Sequence, residues 1–227
     1  MSDLGVRIWL KQINSRFGVL AMASTALLGL AGSAQDAFAQ TATIDVLTPP
    51  PGNVLFLSTT GVGYQDYICL PTAADPSVTS WVFERPESGL SVPLANNKTL
   101  EVAENLLTPV PVLTATPNRG CVEAADGRTQ YCPAFRSPYD LSTVWTTPVQ
   151  SVDAGTSKTC PNNASIPCLL LQTITASQGQ TSPNLLGRTT YVQRLYTQGG
   201  IAPTSVCTSG QVQQVPYQAT YRFFSAR

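Results

Sequence analysis

The sequence predicts an all-β fold: a single antiparallel β-sandwich or jelly-roll-like barrel with few helices. Three observations carry this. The carboxyl-terminal stretch alternates, with Val215, Tyr217, Ala219, Tyr221 and Phe223 apolar and Gln214, Pro216, Gln218, Thr220 and Arg222 between them, the period of a strand with one dry and one wet face. About ten short segments of β character follow one another, separated by turn residues, and 18 Pro and 16 Gly are spread over the 227 residues. No window of helical period runs beyond roughly two turns.

Taken in chain order, the short strand candidates are 43–47, 54–58, 63–69, 80–83, 99–103, 110–115 and 142–146. Residues 168–175 (CLLLQTIT) open on a continuous apolar run and suit a strand buried on both faces. Residues 189–197 are β-branched and aromatic and stop at Gly199-Gly200, a turn signal. The stretch 100–107 (LEVAENLL) suits a helix as well as a strand. Pro216 has no N–H for a ladder, which places the last strand at an edge or beside a bulge. Thr48-Pro49-Pro50-Pro51-Gly52 should form a stiff, extended spacer ahead of the body.

The amino terminus sets the compartment. Arg7, Lys11 and Arg16 precede an uncharged, mostly apolar stretch (17–35), and Ala37-Phe38-Ala39 follows. That order matches a secretory signal peptide with cleavage near Ala39 or Gln40. An uncleaved anchor is the alternative, but Ser24, Thr25, Gly29, Gly32 and Ser33 dilute the run. The expected organisation is a signal peptide over 1–39, an extended Pro-rich segment over 40–53 and a single β domain over 54–227. No membrane span remains after cleavage, and the expected location is secreted, periplasmic or cell surface.

Charge excludes several functions. With 13 Lys+Arg and 13 Asp+Glu the chain is formally neutral, and only 11% of it is charged. A nucleic-acid partner would need a basic excess. The chain contains 0 His, which removes imidazole-based nucleophile activation and His-bearing zinc sites. The charges are unevenly spread: 40–153 holds 5 basic and 11 acidic residues, and 154–227 holds 5 basic and no acidic ones. The expected arrangement is that the two halves interleave in one domain and cancel their fields; the alternative is a strongly polarised surface.

All six Cys (Cys69, Cys121, Cys132, Cys160, Cys168, Cys207) fall in the part expected to be exported, where thiols pair. Six allow fifteen pairings. Counting outward from Asp126-Gly127, a two-residue hairpin signal, sets Cys121 opposite Cys132 at a hydrogen-bonded site. Cys160 and Cys168 bracket the short loop PNNASIP, which leaves Cys69 for Cys207. A four-thiolate zinc site is the competing arrangement, but spacings of ten and seven intervening residues do not match the two to four that such sites use.

Without imidazole, the remaining chemistries are a carboxylate pair, a Ser-Lys dyad or oxygen-ligand metal binding. Glu84, Glu87, Asp66 and Asp140 are conceivable acids for sugar hydrolysis, but they read more simply as solvated charges or partners of Arg194 and Arg222. Lys98 and Lys158 lie in Asn-rich loops, and no calcium-loop pattern occurs. No catalytic, cofactor-binding or metal residue is therefore assigned, and no cofactor is expected. Tyr64, Tyr67 and Trp81 form a candidate ligand face, with Tyr131, Tyr139 and Trp145 as a second group, although such rings more often pack a core. Arg194 shares a strand face with Val192 and Tyr196, which makes it a candidate for a buried ion pair with Asp66. Asn97 and Asn163 open glycosylation sequons that matter in a eukaryotic host.

The run YVQRLYTQGGIAP from Tyr191 to Pro203, then Cys207, then VPYQATYRFF from Val215 to Phe224 resembles the secreted domain-of-unknown-function family DUF3455. Upstream, Tyr64 to Cys69 (YQDYIC), Trp81 and Leu169-Leu170-Leu171 fall in the family's order. The resemblance implies no established activity, and it supports the Cys69–Cys207 pairing. Members usually carry a central His followed by Gly-Pro and a Trp; the stretch 126–145 here has neither that His nor that Gly-Pro. The expected function is an exported, disulfide-stabilised, non-catalytic binding or structural module of the cell surface or envelope, with glycan or envelope components as partners. The alternative is a carbohydrate-active hydrolase using a carboxylate pair. A third reading is self-association through residues 40–52 by strand addition.

Overall fold

The computed structural model describes residues 45–111, 118–124, 129–180 and 184–227. Its strands are β1 (Asn53–Pro71), β2 (Thr79–Pro93), β3 (Thr99–Pro109), β4 (Val122–Glu123), β5 (Gln130–Arg136), β6 (Thr143–Val152), β7 (Cys168–Ser177), β8 (Thr189–Gly199) and β9 (Val212–Ala226), with one 3-10 turn at Ala95–Asn97. They form one sheet in the order β3-β2-β1-β9-β8-β7-β6-β5-β4, and β3 also pairs with β5. Eight strands thus close into an antiparallel barrel, with β4 as a short flap on β5. Each strand lies beside its neighbour in sequence, apart from the two closures β1–β9 and β3–β5. The all-β expectation holds in its barrel form.

Several expected segments merge. Residues 54–58 and 63–69 belong to one 19-residue strand, β1. Gly61 and Gly63 look like breaks in the sequence, but they serve packing: a Cβ on Gly61 would sit 2.5 Å from the Tyr221 ring, and one on Gly63 would sit 2.0 Å from the Glu87 carbonyl. The ambiguous 100–107 is strand, within β3. Pro216 lies in the central strand β9, not at an edge. Its carbonyl accepts from Gly200 N–H at 3.0 Å, on the side where β8 ends, so its missing N–H leaves no ladder bond broken. A register shift is indeed present, on the facing strand between Leu195 and Gln198. Of the candidate 110–115, Val110 and Pro111 lie outside any strand and the rest falls outside the described residues.

The amino-terminal segment corrects the spacer expectation. Residues 45–48 form a turn where a strand was expected, and Leu47 is fully buried against Cys160, Cys168, Leu170 and Leu195 on the outer face of β7–β8. Gln193 Nε2 donates to the Leu47 carbonyl at 2.7 Å, and Thr159 Oγ1 donates to Asp45 Oδ2 at 2.8 Å. Burying one leucine contributes about 1.5–3 kcal/mol, enough to draw the chain onto the barrel in place of a free extended strut. Its described part is thus engaged at home, and closure leaves the two-residue β4 as the exposed sheet edge among the described residues.

The core lies inside the barrel. Leu90, Ala103, Phe135, Val144, Leu171, Val192, Ala219, Tyr221 and Phe223 pack inside, and Phe135 meets Tyr221 and Phe223 edge-on at 5.4 and 5.2 Å between centroids. A smaller outer cluster of Val110, Cys132, Ala134 and Trp145 lies under the β4 flap.

Three disulfides link Cys69 to Cys207, Cys121 to Cys132 and Cys160 to Cys168. The Asp126-Gly127 turn lies outside the described residues. The register Val122↔Tyr131 and Glu123↔Gln130 continues to Cys121 opposite Cys132. Ala124 N–H donates to the Thr129 carbonyl, so alternation sets the cysteines at a non-hydrogen-bonded site. That corrects the phase expected from a two-residue turn, and their 4.3 Å Cα separation is the narrow spacing of such a site.

The charge halves do not interleave. A meander keeps chain order around the ring, so β1 to β6 form an acidic arc and β7 to β9 a basic one. The ion pairs Asp66–Arg85, Glu87–Arg85 and Glu104–Arg136 stay within the first arc.

Candidate functional site

Period-two alternation turns Gln65 and Tyr67 of β1 inward together. On β2, Glu84 is left unpaired where the register shifts, between Asp66↔Arg85 and Tyr67↔Phe83, which turns Phe83 to the same side as Pro86 and Ser88. Ladder partners share a face, so Ser88↔Asn105 and Asn105↔Phe135 carry the inner wall through β3 to β5. Leu169↔Arg194 and Arg194↔Tyr221 carry it from β7 through β8 to β9.

Between these walls is a partly open cavity of about 300 Å³. Its lining is mostly apolar, including Phe83, Phe135, Ile166, Leu169 and Leu171, with Gln65, Asn105, Tyr67, Tyr221 and Arg194 as the polar members. Pro133 and Pro148 also border it. The β5–β6 ladder runs only over Ala134–Arg136. Prolines cannot donate to it, so the strands part there, and residues 118–120 cross the gap, held by Thr147 Oγ1 on the Arg119 carbonyl at 2.7 Å.

Deeper in the lumen the polar groups are connected. Tyr217 and Tyr221 share a hydroxyl–hydroxyl bond of 2.8 Å, Ser88 Oγ lies 2.9 Å from Tyr217 Oη, and Asn105 Nδ2 donates to both phenols at 3.3 and 3.2 Å. Tyr67 donates to the Gly200 carbonyl at 2.6 Å. Burial pushes the Tyr221 phenol well above its ordinary value, and the neighbouring Tyr217 adds to this. Burial also raises Tyr67, and the nearby Arg194 charge partly offsets both shifts.

Three polar atoms of the lining have no protein partner: Gln65 Nε2, Asn105 Oδ1 and Arg194 Nε. Gln65 and Asn105 are only 3% and 5% exposed. Leaving such groups unmatched costs about 1–3 kcal/mol each. Arg194 donates one bond, from its terminal nitrogen to the Pro167 carbonyl at 2.9 Å.

The ion pair expected between Arg194 and Asp66 is not formed. Asp66, 1% exposed, pairs instead with Arg85 Nε at 3.0 Å on the opposite side of β1. Alternation explains this: Asp66 faces away from Gln65 and Tyr67, while Arg194 faces in.

The candidate face of Tyr64, Tyr67 and Trp81 is also divided. Tyr64 is exposed on the outside, Tyr67 lies inside, and Trp81 Nε1 is tied to the Ser205 carbonyl at 3.0 Å. Trp81 lies under the 201–211 loop, which is anchored by Cys69–Cys207 and by Thr79 Oγ1 on the Cys207 carbonyl. The four conceivable acids do not converge on a cleft. Glu84 stands at the β2 register shift, Asp66 and Glu87 flank Arg85, which neutralises them, and Asp140 is locked into a turn by Ser142 and Leu185. No Asp or Glu is among the described residues lining the cavity.

Sequence reasoning missed Gln65, Asn105 and Ser88. The signal was available as single polar residues on otherwise small or apolar strand faces, such as Asn105 in line with Ala103 and Leu107.

Among known proteins, residues 50–225 match the family model DUF3455, described as a protein of unknown function. No curated protein and no solved structure matches.

Proposed function

Because the chain belongs to the DUF3455 family, whose description assigns no activity, its own geometry carries the functional reading, and we propose that it is an exported binding module whose barrel lumen takes a small molecule. The observation that carries this reading is the cavity itself: apolar walls, a few convergent polar groups, and buried donors and acceptors that no protein atom meets. Eight-stranded barrels have an interior just wide enough to be filled or to hold one small ligand, and barrel mouths are preferred small-molecule sites. Export is supported by the three disulfides, which persist in oxidising compartments, and by the basic, apolar and Ala-x-Ala order of residues 1–39. No helix among the described residues is long and apolar enough to cross a membrane.

The experiment is a fragment screen followed by two-dimensional NMR of the disulfide-bonded protein. Binders should shift signals of Gln65, Asn105, Phe135 and Leu171. Shifts confined to the outer residues Val62 and Tyr64, or glycan binding without any lumen shift, would move the site to the surface. Sequencing the mature amino terminus tests export, with a start near Gln40 expected.

A further inference from the structure

The arrangement of the unmatched polar atoms speaks to what the lumen holds. In the eight-strand ring, β8 stands four strands from β3, so Arg194 and Asn105 line the cavity from opposite walls. Arg194 is the one formally charged side chain among the described residues lining it. The acid best placed by sequence, Asp66, is engaged by Arg85 on the other side of β1. Tyr67 and Tyr221 stay neutral near pH 7, since burial raises both. The lumen is therefore a net-positive, mostly apolar space whose guanidinium has one unmatched N–H. Arg194 is part-buried and its terminal nitrogen makes an exposed bond to Pro167, while its Nε is buried without a partner; a carboxylate is the group whose shape fits a guanidinium.

Two other strands offer a complementary pair: a free donor at Gln65 Nε2 on β1, two strands from β8, and a free acceptor at Asn105 Oδ1 on the opposite strand β3. A hydroxyl accepts from one and donates to the other. Size adds a limit. A cavity of about 150 Å³ takes benzene; this one, at about 300 Å³, holds a molecule, or the buried part of one, of about ten to twelve non-hydrogen atoms.

We infer that the lumen binds a compact hydroxylated carboxylic acid, its carboxylate at Arg194, its apolar body along Phe135, Leu169 and Leu171, and its hydroxyl at Gln65 and Asn105. This rests on the lumen being the binding site.

The test uses calorimetry and NMR of the purified disulfide-bonded protein at pH 7 with three probes: 4-hydroxyphenylacetate, 4-hydroxyphenylacetamide and phenylacetate. The acid should bind about tenfold or more tightly than its neutral amide, the increment of a charge-assisted hydrogen bond, and should move the Gln65 and Asn105 side-chain amide signals. Phenylacetate, lacking the hydroxyl, should bind about fivefold more weakly than the hydroxylated acid. Arg194→Met should bring acid and amide within about threefold of each other. Should that variant fail to fold, the wild-type comparison of acid with amide decides alone. Equal affinity for acid and amide, with lumen signals moving, overturns the anion inference and leaves the lumen reading standing. If none of the three moves a lumen signal, both fall.

Discussion

Asp66 and Arg85 face each other across the β1–β2 ladder with 3.0 Å between carboxylate and Nε, although Asp66 is 1% exposed and the Arg85 side chain is 51% exposed. Removing the cation strands a buried charge, whereas removing the charge strands only an exposed arginine. Arg85→Ala should therefore cost more than Asp66→Asn, about 1–2 kcal/mol against about 1, after discounting for the solvent around Arg85. Adding Asp66→Asn to Arg85→Ala should recover part of the loss. Urea unfolding of the three variants checks this; a double variant that is simply additive contradicts it.

Asp140 binds two segments. It accepts from Ser142 Oγ at 2.7 Å, Ser142 N–H at 2.9 Å and Leu185 N–H at 2.6 Å. Burial opposes its charge, but these hydrogen bonds outweigh it and hold the carboxyl below its ordinary range. A depressed folded value gives stability that is complete above the unfolded value of about 3.9 and is lost as pH falls below it. Asp140→Asn also turns a donor toward Leu185 N–H. It should cost about 1–2 kcal/mol at pH 7, and the gap from wild type should narrow below about pH 3. Thermal unfolding across that range reads it out.

Tyr221 is fully buried, and its phenol is pushed well above the ordinary value. The folded state therefore binds a proton that the unfolded chain releases near pH 10, so stability is complete below that pH and declines above it. Tyr221→Phe should cost about 1–2 kcal/mol at pH 7 by removing the bonds to Tyr217 and Asn105, while making the alkaline decline shallower. Absorbance titration and urea unfolding between pH 8 and about 11 test both parts.

The bridges differ in what they close. Cys69–Cys207 spans 138 residues, and Cys160–Cys168 spans 8. On the chain-entropy model their removal costs about 5 and about 2.5 kcal/mol respectively. Cys69→Ala with Cys207→Ala should lower the unfolding midpoint far more than Cys160→Ala with Cys168→Ala. The native protein should give no alkylatable thiol by mass; a modified cysteine contradicts the scheme.

Much of the fold was legible because it is local. Strand period at 214–223, turn residues, and an even cysteine count in a charge-poor chain follow from residues close together, and they determined an all-β, bridged body. The reach of β1 was not legible. Gly61 looks like an interruption until Tyr221, 160 positions away, is seen to need the space. Partnership was not legible either. Arg194 and Asp66 are both polar residues in strand-like segments, and choosing Arg85 over Arg194 depends on which side of the wall each faces after the β2 register shift at Glu84.

By itself, then, the sequence determined class, covalent framework and the absence of imidazole chemistry, since these depend on composition and on periods of a few residues. The tertiary structure decided that the sheet closes as a meander and that Gln65, Asn105 and Arg194 share one lumen. Closure is set by register summed over eight strands, and a one-residue slip in β1, β3 or β8 would turn Gln65, Asn105 or Arg194 outward.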